Sequence, residues 1–339
     1  MKVTVIGAGA WGGALAQVLA DNGHEVIIWS HSAAEVSDIN ERQVISVLER
    51  KGIKHRLNKG IVATTDLAFA ITGAKYLLFV VPSAVFRTVV EQVSPLITTP
   101  VVCVSATKGI ESGTHKTMTQ IIADVLPKDK YDAIVALSGP SHAEEVICRK
   151  LTAVVAASSS LDGAKKVQEL FNNHVYFRVY VNDDWMSVEI GGALKNIIAI
   201  LSGIGEGFDI GDNARAALIT RGLFEIIRIG VAMGGKERSF LGLAGLGDLI
   251  VTTTSHHSRN FQAGELLATG MPAEMIEQEI GASVEGFHAV QAAYEIITEK
   301  GLYAPLISVL YDIINGKVVV KEALHDLFNR AMKDEFADM

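Results

Sequence analysis

The sequence predicts an α/β protein in which a doubly wound, mostly parallel sheet is followed by an all-helical C-terminal domain. Three observations carry this prediction. Apolar runs alternate with amphipathic stretches over the first half of the chain, a glycine-rich turn directly follows the first run, and beyond residue 182 the pattern changes to helical spacing.

Taken in order, Lys2–Ile6 reads as a buried parallel strand. Ala14, Leu15, Val18 and Leu19 then repeat at helical spacing as far as Asn22-Gly23, a pair suited to a helix C-terminus. Glu25–Trp29 is a second strand. Apolar runs at 76–81, 100–105, 133–138 and 152–157 continue the rhythm, each followed by a turn and an amphipathic stretch, which specifies a parallel sheet with helices on both faces. A short strand at 175–179 precedes Asn182-Asp183-Asp184, which reads as a helix start. From there the segments 185–206, 213–233, 260–269, 285–299 and 305–315 have helical spacing, with glycine-rich turns expected at 203–207 and 242–247. Ser158-Ser159-Ser160 reads as a loop and residues 333–338 as a frayed end. A chain of 339 residues exceeds the usual single domain of roughly 100 to 200 residues, and the boundary is placed near residue 182.

Composition narrows the classes of function. With 49% hydrophobic and 20% charged residues the chain matches an ordinary globular protein rather than a disordered one. A net charge of −8 argues against general binding to nucleic acid or an anionic membrane, although a local basic pocket for a small phosphate is compatible with it. No run of about 18 uninterrupted apolar residues suggests a membrane span, and the first residues lack the pattern of a secretory signal, so a cytoplasmic location is expected. Cys103 and Cys148 have no metal-ligand spacing and read as reduced structural thiols.

Gly7-Ala8-Gly9-Ala10-Trp11-Gly12 gives the first domain its expected ligand. Such a motif is common by chance, but here it follows a strand, opens a helix and lies within a strand-helix-strand unit. Gly7 suits the tight turn, Gly9 lets backbone approach a pyrophosphate, and Gly12 lets the helix pack on the strand. The helix start then offers N–H groups and a positive dipole end to phosphates. Residues 1–182 are thus read as a Rossmann-type dinucleotide-binding domain and 183–339 as a helical substrate-binding domain. The acid that takes the adenosine ribose 2′-OH in NAD enzymes is missing at the end of the second strand, which reads Trp29-Ser30-His31-Ser32. NADP is therefore admissible beside NAD, and His31 is either a contact for a 2′-phosphate or a surface-loop histidine.

Hydride transfer from a secondary alcohol requires a base for the hydroxyl proton and charges that hold the substrate in line. Three cations stand in suggestive surroundings: Lys108 after the strand at 100–105, Lys195 almost alone in an apolar helix, and Arg259 at a helix start. Apolar surroundings and neighbouring cations favour the neutral form of Lys195, while a bound phosphate opposes it. Its alternative role is a stem lying on the core with the head reaching water. The small residues Gly191, Gly192 and Ala193 are read as leaving space for a ligand. Gly139-Pro140-Ser141-His142, at another strand end, can offer backbone and Ser141 to substrate or cofactor, but the segment lacks the elbow of a serine hydrolase. Asp248 is either a partner of the base or a plain helix cap. His256-His257 have no accompanying carboxylate or cysteine cluster, so no metal is expected.

Together these motifs resemble one family closely, the bacterial-type NAD(P)-dependent glycerol-3-phosphate dehydrogenases. The resemblance runs through Val5-Ile6-Gly7-Ala8-Gly9-Ala10-Trp11-Gly12, Thr107-Lys108-Gly109, Leu137-Ser138-Gly139-Pro140-Ser141-His142-Ala143-Glu144-Glu145 and Gly191-Gly192-Ala193-Leu194-Lys195-Asn196. It continues through Ala217-Leu218-Ile219-Thr220-Arg221-Gly222, Gly245-Leu246-Gly247-Asp248-Leu249, Ser258-Arg259-Asn260 and Val284-Glu285-Gly286. It implies interconversion of sn-glycerol 3-phosphate and dihydroxyacetone phosphate, supply of glycerol phosphate for phospholipid synthesis, and a homodimer. By this resemblance Lys195 is the proton acceptor and Lys108 touches substrate and cofactor. Gly139, Ser141, Asp248, Ser258, Arg259 and Asn260 line the substrate site. Ala10, Trp11, His31, Ala143, Arg259, Ser283 and Glu285 touch the cofactor, and Asn196 and Thr252 fall close to the reacting atoms. Two segments depart from the family, Ser32 in place of a basic residue and 48–56 in place of an aromatic-Leu-Pro segment, and both border the adenosine end. The rival readings are a 3-hydroxy acid dehydrogenase or ketopantoate reductase and, from another class, a nicotinamide-sensing protein without turnover.

Overall fold

The computed structural model describes residues 1–328 together with Asp334 and Glu335; apart from these two, the charged end at 333–338 lies outside the described residues. The chain folds as two compact units. One is Met1–Thr107 with Met118–Trp185, the other Lys108–Thr117 with Met186–Met339.

The first unit contains strands β1 (Lys2–Ile6), β2 (Glu25–Trp29), β3 (Ile61–Thr64), β4 (Tyr76–Phe79), β5 (Val101–Ser105), β6 (Tyr131–Ser138), β7 (Thr152–Ala157) and β8 (Phe177–Asn182). Its helices are α1 (Ala10–Asp21), α2 (Ala33–Ser37), α3 (Ser46–Arg50), α4 (Leu67–Ile71), α5 (Phe86–Val93), α6 (Met118–Val125), α7 (Ala143–Ile147) and α8 (Leu161–Phe171). The strands form one sheet in the order β3-β2-β1-β4-β5-β6-β7-β8. Alternation along the strands sorts side chains to two buried faces. Val3, Val5, Val26, Ile28 and Leu78 meet Leu15, Leu19, Val167 and Leu170 of α1 and α8. Ile6, Ile27, Leu77, Phe79 and Cys103 meet Phe86, Val90, Ile121 and Ile122 of α5 and α6. The order reverses at β1, which pairs with β2 on one side and β4 on the other. In open α/β sheets, ligands bind beyond the strand ends at such a point.

Three strands differ from their expected form. β3 was not distinguished from its surroundings: it has four residues, and Val62 is exposed. β7 runs antiparallel to β6, because the link between them holds only the five-residue helix α7 and the chain re-enters the sheet from the end it left. β8 starts at Phe177 rather than 175, since Asn173 Oδ1 accepts from the backbone N–H groups of Val175, Tyr176 and Phe177 and holds them in a turn.

The second unit is built from α9 (Trp185–Gly207), α10 (Gly211–Ala232), α11 (Glu237–Phe240), a π-type turn at Leu243–Gly247, α12 (Asp248–Thr253), α13 (Arg259–Ala268), α14 (Ala273–Ile280), α15 (Glu285–Lys300), α16 (Pro305–Ile314) and α17 (Val320–Phe328). By length and composition α9 could cross a membrane, but its apolar stretch is buried throughout in the fold. The glycines at 203–207 do not form the expected turn; they lie inside α9. A Cβ on Gly203 would stand 1.9 Å from Phe261 O, and one on Gly264 2.0 Å from Ile200 O, so these glycines let α9 and α13 cross almost backbone to backbone. Lys108–Thr117, expected to stay with the sheet, belongs to this unit. Ile110 enters its core, Ile110 and Thr117 form a bridge, and Gly113 N donates to Glu295 Oε2 at 2.9 Å.

Candidate active site

Within the first unit, the glycine motif divides into two roles. Gly7 has φ +122°, and a Cβ there would stand 2.4 Å from Val80 O; one on Gly12 would stand 2.0 Å from Gly7 O. These two glycines are demanded by the turn and by the packing of α1. Gly9 has no atom within 4 Å of a notional Cβ and caps α1 with no side-chain hydrogen bond. The space it leaves is open, and it faces the first-turn N–H groups of a twelve-residue helix, which have no intrahelical acceptor. A dinucleotide pyrophosphate fits this cradle. Ala10 is the first residue of α1, Trp11 packs its partly buried ring on the sheet core, and Ala143 opens α7. Gly139 has φ +151°, and a Cβ there would stand 2.9 Å from Val154 Cα, so its lack of a side chain serves the contact with β7. Ser141 Oγ donates to Gly139 O at 3.0 Å.

At the end of β2, His31 is exposed and Ser32 caps α2 by accepting from Glu35 N at 3.3 Å. Glu35 is a further residue at this strand end. Ser30 Oγ donates to Glu35 Oε2 at 2.5 Å, so a carboxylate does stand at this strand end, delivered by the following helix. The signal for it was the Ser32-x-x-Glu35 spacing of a capping box.

In the second unit, Lys195 projects from the buried helix α9 and is 6% exposed. Its Nζ donates to Thr252 Oγ1 at 2.6 Å and forms an ion pair with Asp248 Oδ1; Lys108 Nζ donates to Asp248 Oδ2 at 2.7 Å. Asp248 and Thr252 are four residues apart on α12 and so share one face of it. The Asp248 carboxylate, 1% exposed, is bound by two lysines and does not cap the helix. A seam of small residues makes this approach possible. A Cβ on Gly191 would come within 3.0 Å of Ala244 O in the turn preceding Asp248, so Gly191 brings α9 onto that turn instead of leaving space for a ligand.

Burial pushes the Lys195 ammonium down to about 7. The Asp248 charge works against that shift, and the charge of Lys108 reinforces it. The lysine can therefore give or take a proton near neutral pH, which a lysine in water cannot do. Its stem does lie in the core, but its head bonds to protein groups rather than to bulk water.

The remaining positions serve both structure and access. Ser258 Oγ accepts from Phe261 N as the cap of α13. Asn260 Nδ2 donates to Asn196 Oδ1 at 2.9 Å and its Oδ1 accepts from Gly286 N at 2.9 Å, tying α13 to α9 and α15. Ser283 Oγ donates to Glu277 Oε1, and Glu285 opens α15. Arg259 is exposed and forms no ion pair among the described residues, leaving its guanidinium available to an anion. Among the described residues, no three His, Cys, Asp or Glu side chains are grouped as metal ligands.

Comparison with known proteins bears on the whole chain. The family described as NAD-dependent glycerol-3-phosphate dehydrogenase N-terminus matches residues 2–164, and the corresponding C-terminus family matches residues 184–325. A glycerol-3-phosphate dehydrogenase [NAD(P)+] of Lysinibacillus sphaericus is 46% identical over 338 residues, covering 100% of this chain and 99% of its own. The crystal structure of a glycerol-3-phosphate dehydrogenase from Coxiella burnetii superposes with TM-score 0.91 at 35% identity, covering 97% of this chain and 99% of the other. A ketopantoate reductase from Ralstonia eutropha shares the fold alone, at TM-score 0.59 and 18% identity. With both family halves matched in order and relatives spanning its full length, the chain belongs to the NAD(P)-dependent glycerol-3-phosphate dehydrogenase family of oxidoreductases.

Proposed function

We propose that the chain interconverts sn-glycerol 3-phosphate and dihydroxyacetone phosphate with Lys195 as the proton-transferring group. The observation that carries this reading is a buried ammonium held down to about 7 and oriented by Asp248 and Thr252. In the oxidative direction neutral Lys195 Nζ accepts the C2 hydroxyl proton of the substrate. In the reductive direction its charged form returns that proton to the carbonyl oxygen. A nicotinamide dinucleotide held at Gly7–Gly12 would supply the hydride chemistry.

Asp248 is a positioning residue in this scheme. Its two oxygens hold both lysines, so that Lys108 contributes a second positive charge beside the reacting oxygen. Arg259 clamps the phosphate, for which its planar fork is better suited than an ammonium. Gly7, Gly9, Ala10, Trp11 and Gly12 seat the pyrophosphate, and the family resemblance assigns His31, Ala143, Ser283 and Glu285 to the cofactor as well. It assigns Gly139, Ser141, Ser258 and Asn260 to the substrate, and Asn196 holds Asn260 by a hydrogen bond. Residues 1–182 thus serve chiefly the cofactor and 183–339 chiefly the substrate, with Lys108, Gly139 and Ser141 joining the substrate residues. The protein works as a cytoplasmic homodimer supplying glycerol 3-phosphate to phospholipid synthesis.

A substrate panel tests the activity. Dihydroxyacetone phosphate should be reduced, measured by loss of nicotinamide absorbance, while ketopantoate and short 3-oxo acids should give no turnover. Turnover of the acids in preference to the phosphate would refute the assignment. Cofactor binding without any turnover would instead favour a sensor.

A further inference from the structure

We infer that Glu35 replaces the acid missing from the end of β2 and makes the site selective for NADH over NADPH. The inference rests on the reading that Gly7–Gly12 seats a dinucleotide. In this fold the residue that takes the adenosine ribose hydroxyls is an Asp or Glu about 20 residues beyond the last glycine, at the carboxyl end of the second strand. Ser30 stands there, 2% exposed, and its hydroxyl donates to Glu35 Oε2 at 2.5 Å. The strand end thus bears a carboxylate after all, supplied from one turn into α2.

The geometry separates this arrangement from ordinary helix capping. In a capping box the third helical residue turns its carboxylate back onto the N–H of the cap residue. Ser32 does cap α2, accepting from Glu35 N, but its own N–H donates to Ser30 Oγ at 3.1 Å. Ser30 has taken over the duty that the carboxylate would normally perform. Glu35 is left with one oxygen accepting from Ser30, and no cation pairs with it among the described residues. Its remaining lone pairs suit a donor, and a ribose 2′-OH is one.

A 2′-phosphate offers acceptors and negative charge in the same place, and two of the cations that follow β2 are already paired with carboxylates. Arg42 is paired with Asp38 at 2.8 Å and with Glu49 at 2.5 Å, and Lys51 with Glu144 at 2.7 Å. Where a basic side chain would answer a 2′-phosphate, Ser32 uses its hydroxyl for the cap. Exposed His31 and, on the segment 48–56, exposed Arg50, Lys54 and Arg56 are the groups able to oppose this bias.

Quenching of tryptophan fluorescence gives dissociation constants for NADH and NADPH without turnover. The wild-type protein should bind NADH at least about tenfold more tightly than NADPH, a ratio that like-charge repulsion readily supplies. Glu35→Gln keeps the side chain's shape and should shrink the ratio about tenfold, chiefly by tightening NADPH; adding Ser32→Arg should invert it. The same order should hold for AMP against 2′,5′-ADP as competitors. Equal wild-type affinities for the two cofactors overturn the inference, and this comparison needs no variant to fold. An unchanged ratio in a Glu35→Gln protein with wild-type melting behaviour overturns it as well. A wild-type protein that binds neither cofactor refutes the dinucleotide reading beneath it, an outcome distinct from equal binding of both.

Discussion

Lys195 is subject to two opposed charges that meet at one carboxylate. Asp248 draws its proton on, while Lys108, bonded to the other oxygen of Asp248, pushes it off. Substitution of the two neighbours should therefore move the lysine in opposite directions. Asp248→Asn removes attraction and lowers the Lys195 value further, so the acid limb of the oxidation rate should shift to lower pH. Lys108→Met removes repulsion and should shift that limb upward. Both are read from kcat/KM for glycerol 3-phosphate against pH, which reports the free enzyme. Shifts of the same sign in both variants would contradict the arrangement. The sequence named all three residues but left two of them open. Lys195 could be a base or a surface-reaching lysine, and Asp248 a partner or a cap, because neither burial nor the facing of α9 and α12 is written in local spacing. The i, i+4 interval from Asp248 to Thr252 was the readable sign that they act on one neighbour.

The elements that position these residues depend on glycine in two different ways. At Gly7 the turn itself requires a positive φ, and local sequence makes that legible because a strand precedes it and a helix follows. At Gly203 and Gly264 the requirement comes from another helix, and nothing in either segment alone announces the crossing; hence a turn was expected where α9 runs straight on. A Cβ less than about 2 Å from a carbonyl oxygen cannot be absorbed by a rotamer change. Gly264→Val should therefore separate α9 from α13 and cost at least the 1–3 kcal/mol or so typical of overpacking, seen as a fall in thermal midpoint. A melting curve that matched wild type would show that the helices do not cross so closely. The presence of β3, the reversal of β7 and the late start of β8 are not legible in the hydrophobic pattern for a similar reason. Edge position, connection geometry and the Asn173 turn decide them, and hydrophobic pattern does not.

At the scale of the whole molecule, strand and helix periodicity made the α/β sheet and the later helical segments legible, and two family matches in the same order agree with that architecture. The exception is instructive. Lys108 follows a sheet strand in sequence yet folds with the helical unit, where Ile110 and the hydrogen bond from Gly113 to Glu295 hold its segment. A residue at a strand's carboxyl end thus shares a carboxylate with Lys195, in a part of the chain that periodicity assigns to another domain. The central claim is that burial leaves Lys195, held in place by this shared carboxylate, ready to exchange a proton near neutrality. The most direct test is the pH dependence of kcat/KM for glycerol 3-phosphate oxidation in wild type and Lys195→Met. The wild type should lose rate as pH falls through about 7, where Lys195 becomes charged and can no longer accept a proton. The folded variant should be slower by about 10² to 10⁴-fold and lack that limb. A variant with near-wild-type turnover and the same limb would contradict the account.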